Sequence, residues 1–168
     1  ALGSQKKCMP RIFDGAAMFV QPNGKTVREY FYNTAAEEYT PMALTLLSPH
    51  AINNPQDSGI IKKSGQRTEM FMVYANDNGK LGVFTANRQE KLAGWVIWET
   101  DGTYESVAGT TNYLYTAVKR TINGSTKYYL EQFALSAWDV PTDCTQSKII
   151  SNSYQPHGAP KLNGAHSS

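Results

Sequence analysis

Apolar and polar residues alternate in short runs along the middle of the chain, and turn signatures separate the runs. Asn78-Gly79 lies between EMFMVYA and KLGVFTA, Asp101-Gly102 between WVIWET and TYESVA, and Asn123-Gly124 between YLYTAVKRTI and STKYYLEQF. Period-two alternation bounded by Asn-Gly or Asp-Gly predicts a hairpin, because a type I′ turn needs φ > 0 at both central residues. Residues 68–133 therefore predict three successive β-hairpins. Two-residue turns pair Val73 with Phe84 and Tyr74 with Val83 in the first, and Val96 with Val107 and Trp98 with Glu105 in the second. In the third they pair Leu114 with Phe133, Val118 with Tyr129 and Ala117 with Leu130. An earlier hairpin, GAAMFVQ and KTVREYFY around Asn23-Gly24, sets Val20 opposite Val27 and Phe19 opposite Arg28. The turn glycines Gly79, Gly102 and Gly124 are spaced 23 and 22 residues apart. Two such hairpins make a four-stranded unit repeating at roughly 45 residues, the period of propeller blades.

The alternation breaks at residues 34–50, TAAEEYTPMALTLLSPH. Thr40 has the chemistry of an N-cap, Pro41 suits the first helical position, and Met42, Leu44, Leu46 and Leu47 supply an apolar stripe ended by Ser48-Pro49. This predicts a short helix at about 41–48. Residues 51–58 read as a loop, Gly59-Ile60-Ile61 as part of a strand, and Ser147–Ile150 as a last short strand. Residues 1–12 and 151–168 are polar, the latter with Pro and Gly, and read as flexible ends around one domain at 13–150. The expected fold is mainly β, with antiparallel hairpins in propeller-like blades and one short α-helix.

Composition narrows the function more than the fold. The chain has 168 residues, one domain's worth, with 11% aromatic and 18% charged residues, a balance suited to a β-rich protein. A net charge of +2 is too small to imply nucleic-acid or membrane binding by itself. Cys8 and Cys144 read as isolated thiols, with a single disulfide as the alternative. With His50, His157 and His166 they give no metal-ligand spacing, so neither metal nor cofactor is expected. No run approaches the ~18 apolar residues of a membrane span. The start has no apolar leader and no initiator Met, so it reads as a mature product or a piece of something longer.

Arg120 falls directly opposite Lys127, with Lys119 beside it. Like charges so placed repel, so they either splay into solvent at the hairpin tip or meet an acidic group, a phosphate or a partner chain. Lys25 and Arg28 are further phosphate candidates. Glu99, Asp101 and Glu105 cluster round one turn and could in principle act as paired carboxylates, but Asp101 is needed by the turn, and the glutamates alternate into solvent. There is no nucleophile elbow, P-loop or dinucleotide fingerprint. No catalytic residue is assigned, and the chain is not expected to be an enzyme. Trp95, Trp98, Tyr104, Tyr113 and Tyr115 are either core aromatics or a carbohydrate platform; their alternation splits them between two faces, which favours the core.

Three stretches carry a resemblance: MFVQPNGKTVREYFYNTAAEEYTPMALTLLSPH, LGVFTANRQEKLAGWVIWETDGTYESVA and VKRTINGSTKYYLEQF. Together they resemble the nozzle, or tail tubular B-type, and related tail-stabilisation proteins of tailed bacteriophages. The shared motifs are an N-G-x-x-[VI]-R-E-Y-x-Y hairpin, an A-G-W strand, a D-G-x-[YF]-E-S-V hairpin and a V-K-R-T-I-N-G hairpin, in that order, over residues 16–135. The resemblance implies a β-propeller-like structural protein of the virion; the hairpins of this chain count to about two blades. It implies a ring of subunits at the distal part of a short tail. Its partners would be copies of itself and other tail proteins, and DNA would pass transiently during ejection. The alternative is a propeller-type adhesin recognising host cell-surface glycan.

Overall fold

The computed structural model describes residues 3–33, 37–45, 48–62, 69–87, 92–134 and 147–149. The described chain is mainly β, with three antiparallel sheets of four strands. Sheet 1 holds β1 (Arg11–Phe13), β2 (Ala16–Val20), β3 (Val27–Asn33) and β4 (Glu38–Ala43). Sheet 2 holds β5 (Asp57–Ile61), β6 (Met70–Ala75), β7 (Leu81–Asn87) and β8 (Leu92–Trp98). Sheet 3 holds β9 (Thr103–Gly109), β10 (Tyr113–Ile122), β11 (Ser125–Ala134) and β12 (Ser147–Ile149). In each sheet the strands lie side by side in chain order.

Sheet 2 is the middle layer. Met72, Tyr74 and Phe84 pack with Phe13, Met18, Val20 and Val27 of sheet 1. The opposite face, Ile61, Val73, Ala75, Leu81 and Val83, packs with Tyr104, Val107, Leu114, Val118 and Phe133 of sheet 3. This two-sided burial explains why β6 reads MFMVYA, apolar throughout rather than alternating.

The first strands of the sheets are neighbours. Arg11 Nη2 donates to Ser58 O at 2.9 Å, tying β1 to β5, and Val107 N donates to Asp57 Oδ2 at 3.0 Å, tying β9 to β5. Between β5 and β9 the approach is backbone to backbone. A Cβ on Gly109 would meet the Ile60 carbonyl, and one on Gly59 would lie 3.1 Å from Gly109 N.

Two predicted hairpins form in the expected register. Val20 faces Val27 and Phe19 faces Arg28; Leu114 faces Phe133, Ala117 faces Leu130 and Val118 faces Tyr129. At the β10–β11 turn Asn123 and Gly124 both have positive φ, 50° and 77°, as a type I′ turn requires. The Asn23-Gly24 turn keeps its register with only Gly24 at positive φ.

The other two differ from the expectation. At Asn78-Gly79 the chain turns through three residues, Asp77-Asn78-Gly79, closed by Asn76 N donating to Lys80 O at 2.9 Å. The pairing moves by one residue, so Val73 faces Val83 and Met72 faces Phe84. The buried Asn76 side chain selects the longer loop: its Nδ2 donates to Ala51 O at 3.0 Å, and its Oδ1 accepts from Asn53 N at 2.9 Å. Asp101-Gly102 is not a hairpin turn. Val96 pairs with Val83 in sheet 2 and Val107 with Thr116 in sheet 3, so Asp101-Gly102 carries the chain from one sheet to the next. A Cβ on Gly102 would collide with the Lys119 carbonyl of β10, so glycine serves close packing at this crossover.

The helix expected at 41–48 is a second correction. Thr40, Pro41 and Met42 lie in β4, an edge strand in which Pro41 faces Tyr30. An edge position tolerates a residue without an N–H, and Leu44 N donating to Val27 O at 2.9 Å continues the pairing past the strand end. Leu46 and Leu47 lie outside the described residues. The one described helical element is a 3-10 turn, Pro49–Ala51. The leading segment packs rather than frays where it is described: Gln5 N donates to Val20 O at 2.8 Å, and the free thiol of Cys8 is buried. Burial pushes that thiol's pKa up. Cys144, Ile150 and the tail at 151–168 lie outside the described residues.

The glycine contacts give a stability test. Gly109→Ala should lower the unfolding free energy by about 1–3 kcal/mol, the cost of forcing atoms into a packed site. Gly94→Ala, where an added Cβ meets nothing within 4 Å, should stay within about 0.5 kcal/mol of the parent. Urea unfolding followed by tryptophan fluorescence measures both.

Candidate functional site

Three of the four predicted turns come together at one end of the sheets, the first two joined through Asn54. Its backbone N donates to Gly24 O at 2.6 Å, and its Nδ2 donates to Asp77 Oδ2 at 2.8 Å. From the next hairpin, Gly79 O accepts from Tyr104 N at 3.0 Å. Gly24, Asp77, Gly79 and the start of β9 just after Asp101-Gly102 thus belong to one chain of contacts between sheets, while Asn23 and Asn78 bond within their own turns. Asn123 and Gly124 turn at the tip of the long β10–β11 hairpin, and a Cβ at Gly124 would meet nothing within 4 Å.

The basic trio does not form one patch. Arg120 is 3% exposed, and its Nε and Nη2 donate to Glu131 Oε1 at 3.2 and 2.5 Å, with Glu131 0% exposed. Its remaining donors reach the crossover, Nη2 to Thr100 Oγ1 at 2.9 Å and Nη1 to the Asp101 carbonyl. Of the outcomes open for Arg120, it meets an acidic group. Lys119, next along the strand and so on the opposite face, pairs with Glu105 at 3.5 Å. Lys127 is exposed beyond the pair. No phosphate cradle results. The tip stays tolerable because the charge facing Lys127 is consumed inside the fold.

Sequence reasoning did not assign the Arg120–Glu131 pair. Its signal was there: Glu131 occupies the same alternating face as Tyr129 and Phe133, where a carboxylate is retained only with a cation beside it. Buried pairs add little net stability over apolar residues, yet losing one partner strands the other charge. Here the pair clamps the sheet 2 to sheet 3 crossover onto the middle of sheet 3. Tyr104, alongside, has its pKa pushed up to about 12, first by burial and then by the Glu131 charge, with Thr100 and Arg120 pulling the other way.

The remaining candidates are also dispersed. Glu99 pairs with Lys80 at 2.6 Å and Glu105 with Lys119 and Thr103, so the two glutamates have separate partners, and Asp101 is held through its backbone carbonyl. Trp95 packs at a tilt against Phe84 and Tyr74 in the core of sheets 1 and 2. Trp98 stacks on Phe133 in the core of sheets 2 and 3, where Tyr104 is buried. Tyr113 and Tyr115 alone share an outer face, ring centroids 6.4 Å apart. Among the described residues no group of three or more His, Cys, Asp and Glu is arranged to hold a metal ion, and no helix is long and apolar enough to cross a membrane. A cavity of about 270 Å³ between the end of β4 and β8 is lined by Leu44, Ser48, Phe84, Ala93 and Trp95; Trp95 Nε1 is already bonded to Leu44 O.

Among the described residues, two sheet faces are covered by no other sheet. On sheet 1, Ile12, Ala17 and Tyr30 form one cross-strand row and Phe19 and Arg28 the next. Ile12 is 69% exposed, and Tyr30 and Tyr32 are exposed. On sheet 3, Ala117 faces Leu130 and Lys119 faces Tyr128; Tyr128 is 62% and Leu130 44% exposed. Apolar area of this extent usually marks a contact surface.

The buried pair yields two predictions. Arg120→Met should destabilise the fold by about 3–5 kcal/mol, and Arg120→Met with Glu131→Leu should recover most of that loss in denaturant melts. Alkaline stability follows from Tyr104. Its folded pKa lies above the unfolded value near 10, so its contribution is complete below pH ~10 and is lost as pH rises towards ~12, because the unfolded chain releases the proton first. Tyr74, raised for the same reason of burial, acts in the same direction. Unfolding midpoints at rising pH should fall together with the appearance of phenolate absorbance, and Tyr104→Phe should flatten part of the fall.

A scan of the chain against protein-family models finds no match, and a search of curated proteins finds none of significant similarity.

Proposed function

We propose that the chain is a structural component of a bacteriophage tail of the nozzle type, with its three sheets acting as propeller-like blades in a ring of subunits. The observation that carries this reading is the pair of open apolar faces at the two ends of a stack of three four-stranded sheets. A closed propeller takes about 4–8 blades, so three sheets need others beside them. Adjacency of the first strands β1, β5 and β9 fits blades arranged about a common axis. The resemblance adds order. Its N-G-x-x-V-R-E-Y-x-Y motif builds the β2–β3 hairpin, A-G-W lies in β8, D-G-x-Y-E-S-V spans the crossover and β9, and V-K-R-T-I-N-G ends β10 at its tip. All four supply sheet, turn or clamp residues, which suits a part whose work is to hold shape. Tyr113, Tyr115 and Tyr128 on the outer face of sheet 3 support the second reading, a glycan-binding module.

Gold-labelled antibodies against the chain, applied to purified virions, test the location. Label at the distal end of a short tail is expected. Intact and mildly disrupted particles that both stay unlabelled would overturn the tail reading, and saturable binding of the chain to host-surface polysaccharide would then favour the second.

A further inference from the structure

We propose that Asn123 is a site of spontaneous covalent modification, an asparagine that the fold leaves open to deamidation while it holds Asn23 and Asn78 shut. The chain has four Asn-Gly pairs, beginning at Asn23, Asn78, Asn123 and Asn163, and the last lies outside the described residues. Glycine favours the reaction because it puts no Cβ beside the attacking nitrogen and leaves the backbone free to bend towards the side chain. On dipeptide chemistry alone the pairs rank alike. The reaction needs only water. The Gly124 nitrogen loses its proton to solvent base and attacks Asn123 Cγ, and the new N–Cγ bond closes a five-membered succinimide. The Cγ–Nδ2 bond breaks, and Nδ2 takes a proton from solvent and leaves as ammonia. Water then opens the ring. Addition at Cγ gives aspartate; addition at the Asn123 backbone carbonyl carbon gives isoaspartate, whose main chain runs through the former side chain. Nothing is oxidised or reduced.

Attack requires a side-chain amide free to turn, a glycine nitrogen that is not already donating, and access for water. The first two pairs lack all three. Asn23 Oδ1 accepts from Lys25 N at 3.0 Å and Thr26 N at 3.2 Å, and its Nδ2 donates to Thr26 Oγ1 at 3.0 Å. Gly24 N donates to Gln21 O at 2.9 Å. Asn78 Oδ1 accepts from Lys80 N at 3.2 Å, and Gly79 N donates to Asn76 O at 3.0 Å. Both glycines are buried, Gly24 against Asn54 and Gly79 against Thr103. At the third pair Asn123, Gly124 and Ser125 are all exposed. Among the described residues neither the Asn123 side chain nor the Gly124 nitrogen has a hydrogen bond. This tip also has room to move. β9 follows β10 only as far as Lys119, and β12 meets β11 only at Glu131–Phe133. The end of the hairpin is therefore a two-stranded ribbon, which is marginal by itself. Either product adds a negative charge to the exposed tip that carries Lys127. Aspartate keeps the turn, since Asp-Gly also suits type I′; isoaspartate inserts an extra backbone atom and ends the two-residue geometry.

A time course of the purified chain in mildly alkaline buffer tests this, with a parallel course in urea strong enough to unfold it. Peptide mapping by mass spectrometry reads each Asn-Gly pair separately, as the mass gain of an amide becoming an acid, and chromatography separates the aspartate and isoaspartate forms. Circular dichroism checks that the chain in buffer stays folded. In the folded chain Asn123 should convert about tenfold or more faster than Asn23 and Asn78, since each of those must first break two or more hydrogen bonds, each worth a few-fold in rate. In urea that advantage should disappear. Conversion of Asn23 or Asn78 at the rate of Asn123 in the folded chain overturns the proposal. A ranking that persists unchanged in urea also overturns it, because the order would then come from the flanking sequence and not from the fold. Neither readout depends on where the chain resides, so the virion labelling and this experiment fail separately.

Discussion

The middle sheet must be covered on both faces, and the rest of the molecule follows from that. Met72, Val73, Tyr74 and Ala75 are consecutive and all buried, which no sheet with one wet face could arrange. Two further sheets are required, and the chain supplies one before and one after. Hairpin tips, crossovers and the leading segment then become means of holding three layers in register. Asn54 and Asn76 hold the hairpin tips and the 51–56 loop together, and Arg120 clamps the 99–102 crossover.

Among the described residues the candidate polar groups serve these connections. The Arg120 and Glu131 side chains meet in the interior, where desolvation costs each charge several kcal/mol unless paired. Glu99 and Glu105 go to neighbouring lysines, and Asp57 caps the Val107 amide across the junction. Among the described residues, exposed apolar side chains gather on the outer faces of sheets 1 and 3. These faces carry exposed Ile12, Tyr30, Tyr128 and Leu130, and they belong to the first and last sheets of the described stack.

Legibility of the candidate site varied with how far each residue's role reaches. Lys127 at an exposed tip behaves as its neighbours in sequence imply. Arg120 does not, since its partners come from two other places in the chain, Thr100 and Asp101 in the crossover and Glu131 in β11. The tryptophans were divisible between two faces by alternation alone, but the rings they stack on belong to other strands.

The sequence alone determined the β character, the hairpins at Asn23-Gly24 and Asn123-Gly124 and their registers, because a short turn and a period of two are properties of adjacent residues. It carried the motifs of the resemblance as well. Only the tertiary structure decided the three-residue loop at Asn78-Gly79, the crossover at Asp101-Gly102 and the strand at Glu38–Ala43. In each case a distant group outweighs the local preference. The 51–53 loop binds Asn76, the Lys119 carbonyl crowds Gly102, and β3 offers an edge on which Pro41 costs nothing. Turn chemistry limits how a chain may bend; which strand lies alongside afterwards depends on which faces must be kept from water.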